Sequence, residues 1–159
     1  MKATIYIETT VVSYLVARPS RDLITAALQR MTQEWWESRY NDYDLHYSQL
    51  VWDEAMGGDK TEAAKRSAAL VALSLLPART EVDDLADAIM AAGLLPKNAA
   101  ADAMHIAFAA VYGMDYLLTW NCRHINNIDR LGQIAEICIK KGYKCPKICL
   151  PEQMSGLDS

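Results

Sequence analysis

Only one phenylalanine, five prolines and seven glycines occur among the 159 residues. No Pro-, Gly- or Ser-rich tract, internal repeat or charge block breaks the chain, so one domain is expected over residues 1–159. No apolar run approaches the roughly 20 residues that cross a bilayer; runs such as Ala3 to Ile7 and Tyr116 to Trp120 suit buried strands. The start, Met1-Lys2-Ala3-Thr4, lacks an apolar leader core and a small-residue cleavage site, so a cytoplasmic location is expected. The four cysteines, Cys122, Cys138, Cys145 and Cys149, form no CxxC pair and have no histidines at zinc-finger spacing. Reduced thiols are expected, with Cys145 and Cys149 the pair that could meet or take a soft metal. Neither a Gly-rich P-loop nor a G-x-S-x-G elbow is present, which ranks a nucleotide hydrolase or phosphatase last. Positive charge is in deficit, 16 Lys and Arg against 20 Asp and Glu. A net charge of −4 argues against bulk attraction to nucleic acid but leaves room for a basic rim around an acidic centre.

What is present is an alternation of short β-like runs with helical stretches. Ala3 to Ile7, Asp44 to Tyr47, Leu73 to Leu76 and Tyr116 to Trp120 read as strands, with Ile148 to Leu150 as a last short one. The third, closed by Pro77, suits a sheet edge. Helices are expected over Thr10–Val16, Ser20–Arg39 (with a core stripe of Leu23, Ala27, Met31 and Trp35), Ser48–Met56, Asp59–Ala72, from Thr80 to Gly93, Ala99–Val111 and Ile125–Lys141. Ser48 and Asn98 are the expected caps of their helices, and Thr80 with Asp83 resembles a capping box. Strands alternating with helices imply an α/β fold with a parallel sheet covered on both faces. Working groups in such sheets gather beyond the carboxyl ends of the strands, where strand order reverses.

Two polar residues sit directly after the two clearest strands, Glu8 after Ala3–Ile7 and Asn121 after Tyr116–Trp120. Either alone reads as well as an ordinary wet strand end. Asp102 lies near a helix start among alanines, where the dipole favours an anion and burial would demand a partner. Glu54 and its neighbour Asp53 sit before Gly57-Gly58, and spacing does not decide which points inward. His105, one turn from Asp102, suits a packed or hydrogen-bonded histidine. Carboxylates converging in a cleft are the usual oxygen cage for Mg²⁺ or Mn²⁺, ions that serve phosphodiester cleavage.

These segments together resemble the PIN-domain family, in its VapC-like branch of toxin ribonucleases. Ile5-Tyr6-Ile7-Glu8-Thr9-Thr10 resembles the family's opening strand and acid. Ser48 to Glu54, followed by Ala55, resembles the second acid. Ala101-Asp102-Ala103-Met104-His105-Ile106-Ala107 is the most specific piece, and Tyr116 to Ile125 resembles the closing strand and turn. The resemblance spans roughly residues 3 to 150. It implies a PIN-like three-layer α/β/α fold with strand order 3-2-1-4-5, and a metal-dependent endoribonuclease usually silenced by a co-encoded antitoxin. It implies Glu8, Glu54 and Asp102 as ligands of Mg²⁺ or Mn²⁺, Asn121 at the position of the last acid, and Thr9 and Thr119 as supporting hydroxyls.

Two departures matter. Glu8 stands where the family usually has aspartate, and Asn121 replaces a second aspartate, so the site offers three negative charges rather than four. Weaker metal binding, or one ion rather than two, is expected. Arg123 and His124, with Arg18, Arg21 and Lys97, are candidates to grip RNA phosphates, or are simply solvated. Trp36 could mark a dimer or antitoxin surface, or belong to the core. The competing reading is a PIN-like module that binds RNA or a protein partner without cutting.

Overall fold

The computed structural model describes residues 1–155. Five parallel strands form one sheet: β1 (Thr4–Ile7), β2 (Asp44–Ser48), β3 (Ser74–Leu76), β4 (Tyr116–Leu118) and β5 (Lys147–Cys149). Their order is β3-β2-β1-β4-β5, as expected, with β3 and β5 at the edges. The helices are α1 (Thr9–Val16), α2 (Leu23–Arg39), α3 (Gln49–Ala55), α4 (Lys60–Leu70), α5 (Thr80–Ala91), α6 (Ala100–Val111), α7 (Leu131–Lys140) and α8 (Pro151–Ser155). Among the described residues no helix is long and apolar enough to cross a membrane.

The central strand shows why this sequence makes a three-layer fold. Ile5, Tyr6 and Ile7 are all fully buried. Successive side chains of a strand point to opposite faces, so a strand that is apolar throughout needs cover on both. Ile5 and Ile7 join Leu45, Leu118, Val11 and Trp35 in one core. Tyr6 joins Tyr47, Leu117 and the apolar faces of α5 and α6 in the other. With a single phenylalanine available, the larger core is built of aliphatics and of alanines on α6, whose small side chains allow α5 to approach closely.

Several boundaries differ from the sequence expectation, each for a physical reason. The α2 helix starts at Leu23, because Asp22 caps it by accepting from Thr25 N at 2.8 Å. Its expected core stripe is wrong apart from Trp35: Leu23 is 86% exposed and Met31 38%. The buried face carries Gln29 and Thr32 instead. These polar groups are tolerated because each is partnered. Ser20 N donates to Gln29 Oε1, and Trp120 Nε1 donates to Thr32 Oγ1. Trp36 is half-buried and packs on Trp35 and Tyr40.

The helix expected from Ile125 begins only at Leu131. Residues 121–130 form turns because asparagine side chains compete for the backbone: Asn127 Nδ2 donates to Arg123 O and Asp129 N donates to Asn127 Oδ1. The fourth strand ends at Leu118, since Trp120 N turns to Thr10 Oγ1. Neither Thr80 nor Asn98 caps its helix; α5 and α6 start after Arg79 and Ala99 with no side-chain cap bond. Ser48 does cap α3, accepting from Val51 N at 3.1 Å. Pro151, expected only to end β5, opens the short α8, where a proline loses no helical bond.

Candidate active site

Strands β1 and β4 lie side by side in the sheet centre, with Ile7 opposite Leu118. The chain leaves β1 toward β2 on one side and reaches β4 on the other, so their carboxyl ends flank the reversal of strand order. Glu8 follows β1 and Thr119 to Asn121 follow β4. Glu54 is carried by α3, and Asp102 and His105 by α6.

Glu8 is 4% exposed yet fully engaged. Its Oε1 accepts from Thr119 Oγ1 at 2.6 Å and Thr10 Oγ1 at 2.5 Å. Its Oε2 accepts from Thr10 N at the start of α1, where the free N–H groups of a helix favour a carboxylate.

Glu54 is held by α6 and by the first turn of α1. Its Oε1 accepts from Thr9 Oγ1 at 2.6 Å and from His105 Nε2 at 2.7 Å. Asp53 beside it takes Gln49 Nε2 from its own helix, whereas Glu54 reaches Thr9 and His105 on other elements, so the inward acid is Glu54. Burial pushes the Glu54 carboxyl up, but the hydrogen bond and charge of His105, with the Thr9 hydroxyl, outweigh it and hold the group below the ordinary glutamate value.

His105 is 1% exposed and links this acid to the sheet. Its Nδ1 lies 2.7 Å from the Tyr6 hydroxyl, which lies 2.8 Å from Ser48 Oγ. With a neutral imidazole, one direction of donation runs through the whole chain. Val51 N–H donates to Ser48, Ser48 to Tyr6, Tyr6 to Nδ1, and Nε2–H to Glu54. Burial drives the Tyr6 phenol well above its ordinary value, which keeps it a neutral link in this chain. The same Nε2 stands 4.0 Å from Glu8 Oε2, so one imidazole edge faces two carboxylates.

Asp102 is engaged from the β4 side. Its Oδ1 accepts from Asn121 Nδ2 at 3.1 Å, and its Oδ2 from His124 Nδ1 at 2.8 Å. The orientation of the Asn121 amide is determined by His124 N, which can only donate and points at Oδ1 at 3.0 Å. Asn121 N in turn donates to Thr119 Oγ1, joining the Asp102 group to the Glu8 group.

The four expected residues therefore fall into two hydrogen-bonded groups, Glu8 with Asn121 and Asp102, and Glu54 with His105, which meet where His105 Nε2 stands 4.0 Å from Glu8 Oε2; Thr9 and Thr119 bond Glu54 and Glu8. Sequence reasoning missed Tyr6, the second bond of Ser48, and Thr10, which touches both Glu8 and Trp120. A polar hydroxyl inside an otherwise aliphatic strand was the available signal for Tyr6. Arg18 is not brought to the acids; it lies 3.6 Å from Glu62 and lines a separate cleft between α1, α2 and α4. Lys97 and Arg21 are exposed and make no hydrogen bond or ion pair with these groups among the described residues. All four cysteines are free thiols, and Cys145 Sγ donates to Pro146 O at 3.5 Å.

The donors suit a hard divalent cation, three carboxylates and an amide oxygen. Their present bonds are all to protein. Among the described residues no three His, Cys, Asp or Glu side chains converge tightly enough to hold one ion. Loading would require the acids to exchange hydroxyl, amide and imidazole donors for the cation. The Glu54 side chain, 35% exposed, and that of Asp102, 20% exposed, are reachable from solvent for such an exchange.

No protein-family model matches the sequence, and no curated protein matches it. Among solved structures, the chain is similar to one in the crystal structure of VapBC2 from Rickettsia felis bound to a DNA fragment from their promoter. The TM-score is 0.61 at 13% identity, covering 92% of this chain and 98% of that chain. At this identity the likeness concerns the fold: the chain has a PIN-like α/β/α architecture in the strand order its sequence implied.

Proposed function

We propose that this chain is a Mg²⁺- or Mn²⁺-dependent endoribonuclease and the toxin half of a toxin–antitoxin pair. The observation that carries this reading is the placement of Glu8, Glu54 and Asp102, from three separate segments, around His105, Thr119 and Asn121 beyond the adjoining ends of β1 and β4. Glu8, Glu54 and Asp102 would hold the cation. When bound, such an ion activates water and neutralises charge developing on a phosphodiester. The chain's own residues do the positioning. Thr10 and Thr119 fix the Glu8 carboxylate, and His105 and Thr9 fix that of Glu54. Asn121 aims Asp102 and ties down the turn that carries His124. The antitoxin partner is supported by likeness to a chain of VapBC2. A cytoplasmic location and a homodimer belong to the same proposal.

The test is cleavage of a structured RNA in Mn²⁺ by the wild-type chain and by Asp102→Ala. Cleavage by the former and a loss of about 100-fold or more in the latter are expected, since removing a charged ligand from such a site costs several kcal/mol. Equal residual signal in both would overturn the reading. One observation favours a second reading, an RNA- or protein-binding module that does not cut. Each acid already has protein donors, and an amide stands at the fourth position. RNA binding without Mn²⁺-dependent cleavage would select it.

A further inference from the structure

His124, which bonds Asp102, also lines a cleft of about 430 Å³. That volume falls within the range of roughly 300–1,000 Å³ typical of small-ligand pockets. Arg123, His124 and Arg130 line it, with Leu95 and Pro96 supplying an apolar side, and no carboxylate takes part. In a chain of net charge −4, a cleft lined only by cationic and neutral side chains is a local reversal of sign. The side chains that line it are also pre-set. Arg130 donates from one terminal nitrogen to Leu94 O, which anchors the guanidinium and leaves its other donors free. His124 is fixed by Asp102 through Nδ1 and by Asn121 through its backbone N–H. Arg123 is exposed, and its guanidinium has no hydrogen-bond or ion-pair partner among the described residues. The cleft adjoins the start of α7, which follows Arg130 without a side-chain cap, so the positive end of that helix adds to the field.

We propose that this cleft is a subsite for a backbone phosphate of single-stranded RNA, gripped by Arg123 and Arg130 beside the acid cluster. The two arginines suit it because a planar guanidinium meets a phosphate with two parallel hydrogen bonds. His124 joins the two sites: one ring nitrogen holds Asp102 while the residue lines the cleft, so a strand seated on the arginines runs across the acids. The apolar side offers a sugar or base a surface that needs no hydrogen bond. This inference rests on the proposal that the chain acts on RNA, and it adds where the strand is held.

The test measures binding of a fluorescein-labelled single-stranded RNA of roughly ten nucleotides, a length typical of single-strand sites, by anisotropy in EDTA. Wild type is compared with Arg123→Glu, Arg123→Lys and Lys140→Glu, the last removing the same charge at the opposite end of α7. Arg123→Glu is expected to raise Kd about tenfold or more and to lower the salt dependence by about one phosphate contact. Arg123→Lys, which keeps the charge but not the paired guanidinium bonds, is expected to recover only part of the binding, and Lys140→Glu to change Kd less than about twofold. Equal effects of Arg123→Glu and Lys140→Glu, or no RNA binding by wild type, would overturn the subsite. Binding that depends on Arg123 without any Mn²⁺-dependent cleavage would retire the nuclease and leave the subsite standing. Asp102-dependent cleavage with binding indifferent to Arg123 would do the reverse.

Discussion

Replacing Asn121 by aspartate should destabilise the metal-free protein and make it more responsive to divalent cations. The amide donates from Nδ2 to Asp102 Oδ1 at 3.1 Å. In Asn121→Asp the other oxygen can still accept from His124 N, but the one facing Asp102 becomes a second negative charge. Two unit charges about 4 Å apart repel by about 4 kcal/mol at an effective dielectric of about 20. Protonating one of them sets a ceiling. Holding an ordinary aspartic acid protonated at pH 7, about three units above its usual value, costs about 4 kcal/mol. The Asp102 side chain is 20% exposed, so solvent and side-chain rotation relieve part of this. A loss of about 2–4 kcal/mol is expected, a fall in melting midpoint of roughly 5–15 °C for a chain of this size. The sign with pH follows. A carboxyl raised in the folded state binds more protons there than in the unfolded chain. The deficit is therefore full at neutral pH, shrinks as pH falls through the raised value, and vanishes below the ordinary aspartate value near 3.9. Millimolar Mn²⁺ should restore stability in the variant more than in wild type, because ligand binding to the folded state adds about 2.7 kcal/mol at 100 times its Kd. The assay is thermal unfolding in EDTA and in Mn²⁺ across pH 4–8. A variant as stable as wild type at pH 7, with no pH-dependent gap and no extra gain from Mn²⁺, would refute the reasoning.

Two further outcomes follow from the network. His105→Ala removes a fully buried ring and strands the Tyr6 hydroxyl, so urea unfolding should show a loss of about 3–5 kcal/mol. A loss under about 1 kcal/mol would mean that the ring is not the bridge between β1 and Glu54. The Glu54 carboxyl is held below its ordinary value, so its contribution to stability is present above that value and lost as pH falls through the lowered one. Glu54→Gln should therefore flatten the acid limb of the stability profile below about pH 4.5. An unchanged acid limb would show that the bond to His105 carries no net stabilisation.

Much of the site was legible because it is carried by local pattern. Glu8 and Asn121 follow directly from the ends of β-branched or aromatic runs, and Asp102 stands out as a charge among alanines. Ser48 was legible as a cap, since a hydroxyl before a helical run satisfies free N–H groups wherever the helix goes. The α2 stripe was misread for the opposite reason. Leu23, Ala27 and Met31 have helical spacing, but spacing identifies a face without saying which way it turns. The polar face won because Gln29 and Thr32 find partners in Ser20 and Trp120, the latter from a distant segment. The turns of residues 121–130 were missed because asparagine bonds to the backbone outcompete an otherwise helical pattern.

By itself the sequence determined the alternation of strands and helices, the double-faced burial of β1 and the acids available for chemistry. These depend on periodicity and residue type, which are local properties. Only the tertiary structure decided that His105 stands between Glu8 and Glu54, that Asn121 turns its amide donor to Asp102, and that Arg123 and Arg130 share a cleft beside them. Those are distances between side chains on different elements, determined by how α3, α6 and the β4 turn pack on the sheet. No spacing along the chain encodes a distance that arises only when the chain folds back on itself.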